Sequence, residues 1–200
     1  MQFKSSLATL AAAAGLAASY ETTPFIGPLQ PWQVSQLTIS LPPQGEAGTV
    51  DIELAIANPN QVSAGPAPHA AGGGYLPFAP SAANCSAVGG SDVASLRYAC
   101  EETTQDSYGV WSAFVRNTSA AVDPDDLELV FGLSYNVTRW NAVWWKVYEA
   151  TARFALNDNL VLGECADPNR NCTYELNPDM APLLVQPVMV QCQGTCEAED

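Results

Sequence analysis

Apolar and polar residues alternate with period two through much of this chain. "TVDIELAIAN" (Thr49–Asn58) sets Val50, Ile52, Leu54 and Ile56 on one side and Asp51 and Glu53 on the other. Successive side chains of a strand point to opposite faces, so the pattern predicts a strand with one buried face. "WQVSQLTISL" (Trp32–Leu41) is a second candidate, and Pro42, Pro43 and Gly45 follow it. Strand, Pro/Gly turn and strand predict an antiparallel hairpin with a longish loop. Residues 108–116, "YGVWSAFVR", predict a short strand around Trp111. The cleanest alternation lies at 127–137, where Leu127, Leu129, Phe131, Leu133, Tyr135 and Val137 interleave with Glu128, Gly132, Ser134 and Asn136.

"RWNAVWWKVYEATARFALNDN", residues 139–159, is harder to read. It holds Trp140, Trp144 and Trp145, three of the chain's five tryptophans. Trp140, Val143, Trp144, Val147, Thr151 and Phe154 fit helical spacing, and Ala and Glu favour a helix. Tyr148, Ala150, Ala152, Phe154 and Leu156 fit one face of a strand, opposed by Glu149, Thr151 and Arg153. Trp, Val, Tyr and Thr favour strands, and "NDN" suits a hairpin turn before a strand at 160–162. The strand reading is preferred. It places Trp144 and Trp145 on opposite faces, one filling the core and the other at least partly exposed. The exposed member is the best candidate contact residue.

Residues 181–192 predict a last strand, and Pro187 inside it points to a sheet edge. Residues 61–80, rich in proline, glycine and alanine, show no periodicity and predict a surface loop or flexible insertion. The acids of "DPDD" at 123–126 predict a solvated turn, since they lack the spacing of a calcium loop. About eight or nine short strands, separated by turns, point to one all-β domain, an antiparallel β-barrel or sandwich. It is expected over residues 20–196, with 197–200 as an acidic tail.

The remaining features concern compartment. Lys4, an apolar run at 7–18 and small residues at Ala17 and Ser19 predict a signal peptide over 1–19. The run is too short to span a bilayer, and no later segment reaches the length of a span. Asn84, Asn117, Asn136 and Asn171 each begin an N-x-S/T sequon, as expected of a secreted glycoprotein. A disulfide at Cys85 or Cys172 would compete with glycan transfer to Asn84 or Asn171. Lys and Arg total 7 against 21 Asp and Glu, a formal net charge of −14. That balance excludes nucleic acid and anionic membranes as expected partners.

Cys85, Cys100, Cys165, Cys172, Cys192 and Cys196 allow fifteen pairings. Spacing favours Cys85 with Cys100, Cys165 with Cys172 and Cys192 with Cys196; pairing of Cys192 into the body of the domain is the alternative. The spacing lacks paired C-x-x-C units, so zinc is not expected.

Cys85-Ser86-Ala87, twelve residues, then Cys100 with Tyr98 shortly before it, resembles the central disulfide loop of the Alternaria major-allergen family, small secreted fungal β-barrel proteins. Ala150-Thr151-Ala152 and the close pair Cys165 and Cys172 fit the same order. The resemblance covers roughly 32–192 and implies a β-barrel fold and a non-enzymatic interaction protein, effector- or allergen-like, active outside the cell and linked to virulence. The family's linked dimer uses an N-terminal cysteine. This chain has none before Cys85, so no covalent dimer is expected.

Candidate chemistry is sparse. No G-x-S-x-G nucleophile elbow occurs. His69, the single histidine, sits in the 61–80 segment without a nearby acid or thiol, so neither a triad nor a metal site is expected. Glu53, Glu128 and Glu149 fall on the polar sides of strands, where carboxylates ordinarily serve solubility rather than glycoside cleavage. No enzyme activity and no cofactor are expected. The partner class is an extracellular protein or, alternatively, a polysaccharide, contacted through exposed tryptophan.

Overall fold

The computed structural model describes residues 28–43, 48–66, 75–90, 97–104, 108–116, 122–139, 142–165 and 171–193. The described residues form strands and no α-helix. In chain order they begin with β1 (Trp32–Leu41), β2 (Thr49–Asn58), β3 (Val62–Pro66), β4 (Tyr75–Phe78), β5 (Ser81–Gly90), β6 (Arg97–Ala99) and β7 (Glu101–Glu102). They continue with β8 (Gly109–Val115), β9 (Leu127–Arg139), β10 (Ala142–Phe154), β11 (Leu160–Leu162), β12 (Cys172–Leu176), β13 (Leu183–Val185) and β14 (Val188–Gln193).

Two antiparallel sheets carry the fold. The larger runs β11-β12-β1-β2-β5-β7, with β13 also on β1; the smaller runs β14-β10-β9-β8-β6. Each sheet ends in edge strands, so the architecture is a sandwich and not the closed barrel that stood beside it in the sequence reading. The hairpin of β9 and β10 forms the spine of the smaller sheet, in register from Leu127 with Phe154 to Arg139 with Ala142.

Alternation places the core. Val50, Ile52, Leu54 and Ile56 of β2 are buried while Glu53 between them is exposed. The apolar faces of both sheets meet in one cluster. Trp32 of β1 and Trp111 of β8 meet edge to face across that interface, with ring centroids 4.7 Å apart. Burying a large apolar side chain contributes about 1.5–3 kcal/mol, so these rings are principal determinants of stability.

Three expectations are corrected. Residues 61–80 are not a loop throughout, because β3 and β4 pair at its ends and bury Val62 and Phe78. Two single anchors leave no periodic signal. His69 lies outside the described residues. The turn at Asn157, which has a φ of 66°, does not close a hairpin. It carries the chain from β10 in the smaller sheet to β11 in the larger one. Asn159 makes this corner, accepting from the Ala155 amide and donating to the Arg153 carbonyl at 2.9 and 2.8 Å. The last strand, finally, is two: β13 belongs to the larger sheet and β14 to the smaller, with Pro187 between them. Both lie at edges, where proline's missing donor is tolerated.

The Pro/Gly hairpin of β1 and β2 forms as read, and so does the strand around Trp111. At "DPDD", Asp123 accepts from the Asp125 amide with its side chain and from the Asp126 amide with its carbonyl. Asp126 pairs with Arg153 at 2.8 Å. The acids are thus used in a turn.

Candidate functional site: the outer face of the smaller sheet

The parity of β10 decides what the smaller sheet shows to solvent. Trp144, Lys146, Tyr148 and Ala150 are buried, while Val143 is exposed and Trp145, Val147 and Glu149 are part-exposed. Trp144 and Trp145 therefore stand on opposite faces as the sequence predicts. Trp144 belongs to the core. Trp145 lies outside and donates its indole N–H to the Gln193 side chain of β14.

Register fixes the neighbours of Trp145. Asn136 of β9 lies directly opposite on one side and Gln193 on the other. The next row holds Val110, Ser134, Val147 and Gln191. Val143 pairs with Thr138 beyond Trp145. Val110 is 62% exposed and Val143 42%. Among the described residues these rows contain an indole, valines, amides and hydroxyls but no charged side chain, although the chain carries a formal −14. The nearest acid on this face of β10 is Glu149, paired with Gly132 and Val188. An uncharged aromatic and amide strip on an acidic protein suits a ligand that stacks and hydrogen-bonds without needing a counter-ion.

The inner face behind this strip holds a buried polar seam that the sequence reading missed. Asn58 at the end of β2 donates to the Tyr135 hydroxyl of β9 at 2.7 Å. The Asn58 carbonyl oxygen accepts from both the backbone and side-chain nitrogens of Asn60, at 3.0 and 2.7 Å. Asn60 in turn holds Gln30 through its amide at 2.7 Å and its carbonyl at 2.8 Å. Phe78 stacks on Tyr135 with centroids 4.6 Å apart, and Trp111 donates to Ser81 at 3.0 Å. Lys146 is 3% exposed and pairs in register with Tyr135. Strand parity carried the signal for Lys146, since it shares a face with Tyr148. The burial of Asn58 and Asn60, at and just beyond the end of β2, has no local signature.

The described cysteines are oxidised. Cys85 bonds Cys100, and Cys165 bonds Cys172. The first ties β5 of the larger sheet to the point where the chain leaves β6 of the smaller one. Cys192 is also disulfide-bonded, and Cys196 lies outside the described residues. Tyr98, beside the first bridge, has its hydroxyl buried without a hydrogen-bond partner among the described residues, and burial pushes its pKa up to about 12. Glu102 is also raised by burial, opposed by a hydrogen bond from Thr104.

The remaining site candidates do not converge. Glu53 is on the outer face of the larger sheet, whereas Glu128 and Glu149 are on the outer face of the smaller. Glu128 pairs with Arg116 at 3.1 Å. It lies four registers along the hairpin from the Glu149 row, roughly 13 Å at strand rise and beyond the spacing of a glycosidase pair. Among the described residues no group of three or more His, Cys, Asp or Glu could hold a metal ion. A shallow groove of about 390 Å³ crosses the larger sheet's outer face past Gln36, Glu53, Asn84, Ser86 and Glu101. Of the sequon asparagines, Asn84, Asn136 and Asn171 are exposed, and Asn117 lies outside the described residues. So do Trp140, the expected signal peptide at 1–19 and the acidic tail at 197–200.

No family model, curated protein or solved structure matches this chain.

Proposed function

We propose that this chain is a secreted, non-enzymatic interaction protein that recognises its target through the outer face of the smaller sheet, with Trp145 as the anchor. The placement of Trp145 carries the reading: a tryptophan fixed by Gln193 in an uncharged strip of an acidic protein. Rigid aromatics with few rotatable bonds are the usual anchors of recognition surfaces. Export is supported by the apolar leader pattern, the sequons and the oxidised cysteines, which suit an oxidising compartment. The resemblance of the Cys85–Cys100 loop to the Alternaria major-allergen family supports a fungal effector- or allergen-like role, acting on host molecules. The test is Trp145→Ala: target binding is lost while the melting temperature falls by no more than a few degrees. Equal loss of binding and stability would contradict a surface role.

A polysaccharide is the second target class. Asn136, Gln191 and Gln193 surround the indole with amides that can bond hydroxyls while the ring stacks on sugar C–H groups. Retention on chitin, glucan or plant-wall polysaccharide tests it, and passage through all three would dispose of it.

A further inference from the structure

We propose that Asn136 carries an N-linked glycan whose first sugar lies against Trp145 and covers it. This rests on the export reading above and adds a control to the same face. Asn136-Val137-Thr138 is a sequon, with Asn136 and Thr138 both exposed on the outer face of β9. Trp145 stands directly across from Asn136 in the hairpin register. Such partners hold their Cβ atoms about 5 Å apart, within reach of a ring attached to one and stacked on the other. On the other flank the Asn136 backbone N–H donates to the Tyr108 carbonyl at 3.3 Å, which leaves the Asn136 side chain on the outer face. The bond to Gln193 fixes the indole. The other described sequons differ. Asn84 faces Ala55 and Glu101, and both Asn84 and Asn171 precede a disulfide-bonded cysteine.

The donor is a lipid-diphosphate-linked oligosaccharide. The Asn136 side-chain nitrogen forms a bond to C1 of the first sugar, the bond from C1 to the diphosphate oxygen breaks, and the lipid diphosphate leaves. The amide nitrogen gives up one proton, and nothing is oxidised or reduced. The acceptor segment must enter the transferase unpaired. Transfer therefore precedes the zipping of β9 onto β10 and competes with it. The exported population divides into covered and open forms of the Trp145 face.

The test expresses the full chain in a eukaryotic secretory host and trims its glycans to one N-acetylglucosamine. Mass spectrometry is expected to find sugar on Asn136. Hydroxyl-radical footprinting is expected to find Trp145 oxidised several-fold less than in Asn136→Gln. The trimmed protein melts about 2–4 °C above Asn136→Gln, the shift for one aromatic contact in a domain of this size, and Trp145→Ala abolishes that increment. A bare Asn136 in a protein glycosylated elsewhere, unchanged Trp145 oxidation, or an increment that survives Trp145→Ala would overturn the proposal while leaving export intact. Retention inside the cell with every sequon bare would overturn the export reading and this proposal together.

Discussion

Asn58 and Tyr135 join the two sheets: the side-chain amide of one donates to the phenol of the other at 2.7 Å, inside a buried seam. Tyr135→Phe keeps the ring against Phe78 but removes the acceptor. An orphaned buried donor costs about 1–3 kcal/mol, and the variant is expected to lose stability in that range in urea unfolding. A neutral result would mean that Asn58 finds another acceptor.

Trp144 and Trp145 form a paired control. Trp144→Ala empties a core site and is expected to cost about 3–5 kcal/mol, whereas Trp145→Ala is expected to cost under about 1.5 kcal/mol. Thermal melts of both variants check this. Equal losses would contradict the assignment of the two faces.

Tyr98 sets a limit at alkaline pH. Its folded pKa, about 12, lies above the unfolded value near 10, so the neutral phenol favours the folded state. That contribution is present below pH 10 and is lost as pH rises towards 12. The loss amounts to about 2–3 kcal/mol. Tyr98→Phe is expected to flatten this part of the stability curve. Parallel curves for the two proteins between pH 10 and 12 would contradict it.

Cys85 and Cys100 enclose a separation of 15 residues. Closing such a loop contributes about 3 kcal/mol by restricting the unfolded chain. The double variant Cys85→Ala with Cys100→Ala is expected to unfold at correspondingly lower urea. A loss below about 1 kcal/mol would show that the sheets hold this corner unaided.

Strand parity was the legible part of this fold. It gave β1, β2, β8 and β9 and separated Trp144 from Trp145, while at β10, where both periods fit, the strand propensity of Trp, Val, Tyr and Thr decided against a helix. The burial of Lys146 went unread, although it shares a strand face with Tyr148, because the charge of lysine argues against a core position. The assignment of strands to sheets was not legible. The Asn157 turn and Pro187 resemble ordinary local breaks, yet at each the chain passes between sheets, a choice made by long-range packing. The seam of Asn58, Asn60 and Tyr135 was hidden for the same reason, since its partners lie far apart in sequence. Of the candidate face, the sequence named Trp145 but not its neighbours Asn136 and Gln193, which only register reveals.

The most direct test of the account compares oxidised protein from a host that adds no N-glycans, whose Trp145 face is open, with the same protein carrying Trp145→Ala, on immobilised host extracellular proteins and wall polysaccharides. The account predicts specific retention of the first, loss of retention in the second, and melting temperatures that agree within a few degrees. Equal retention of both proteins would contradict it.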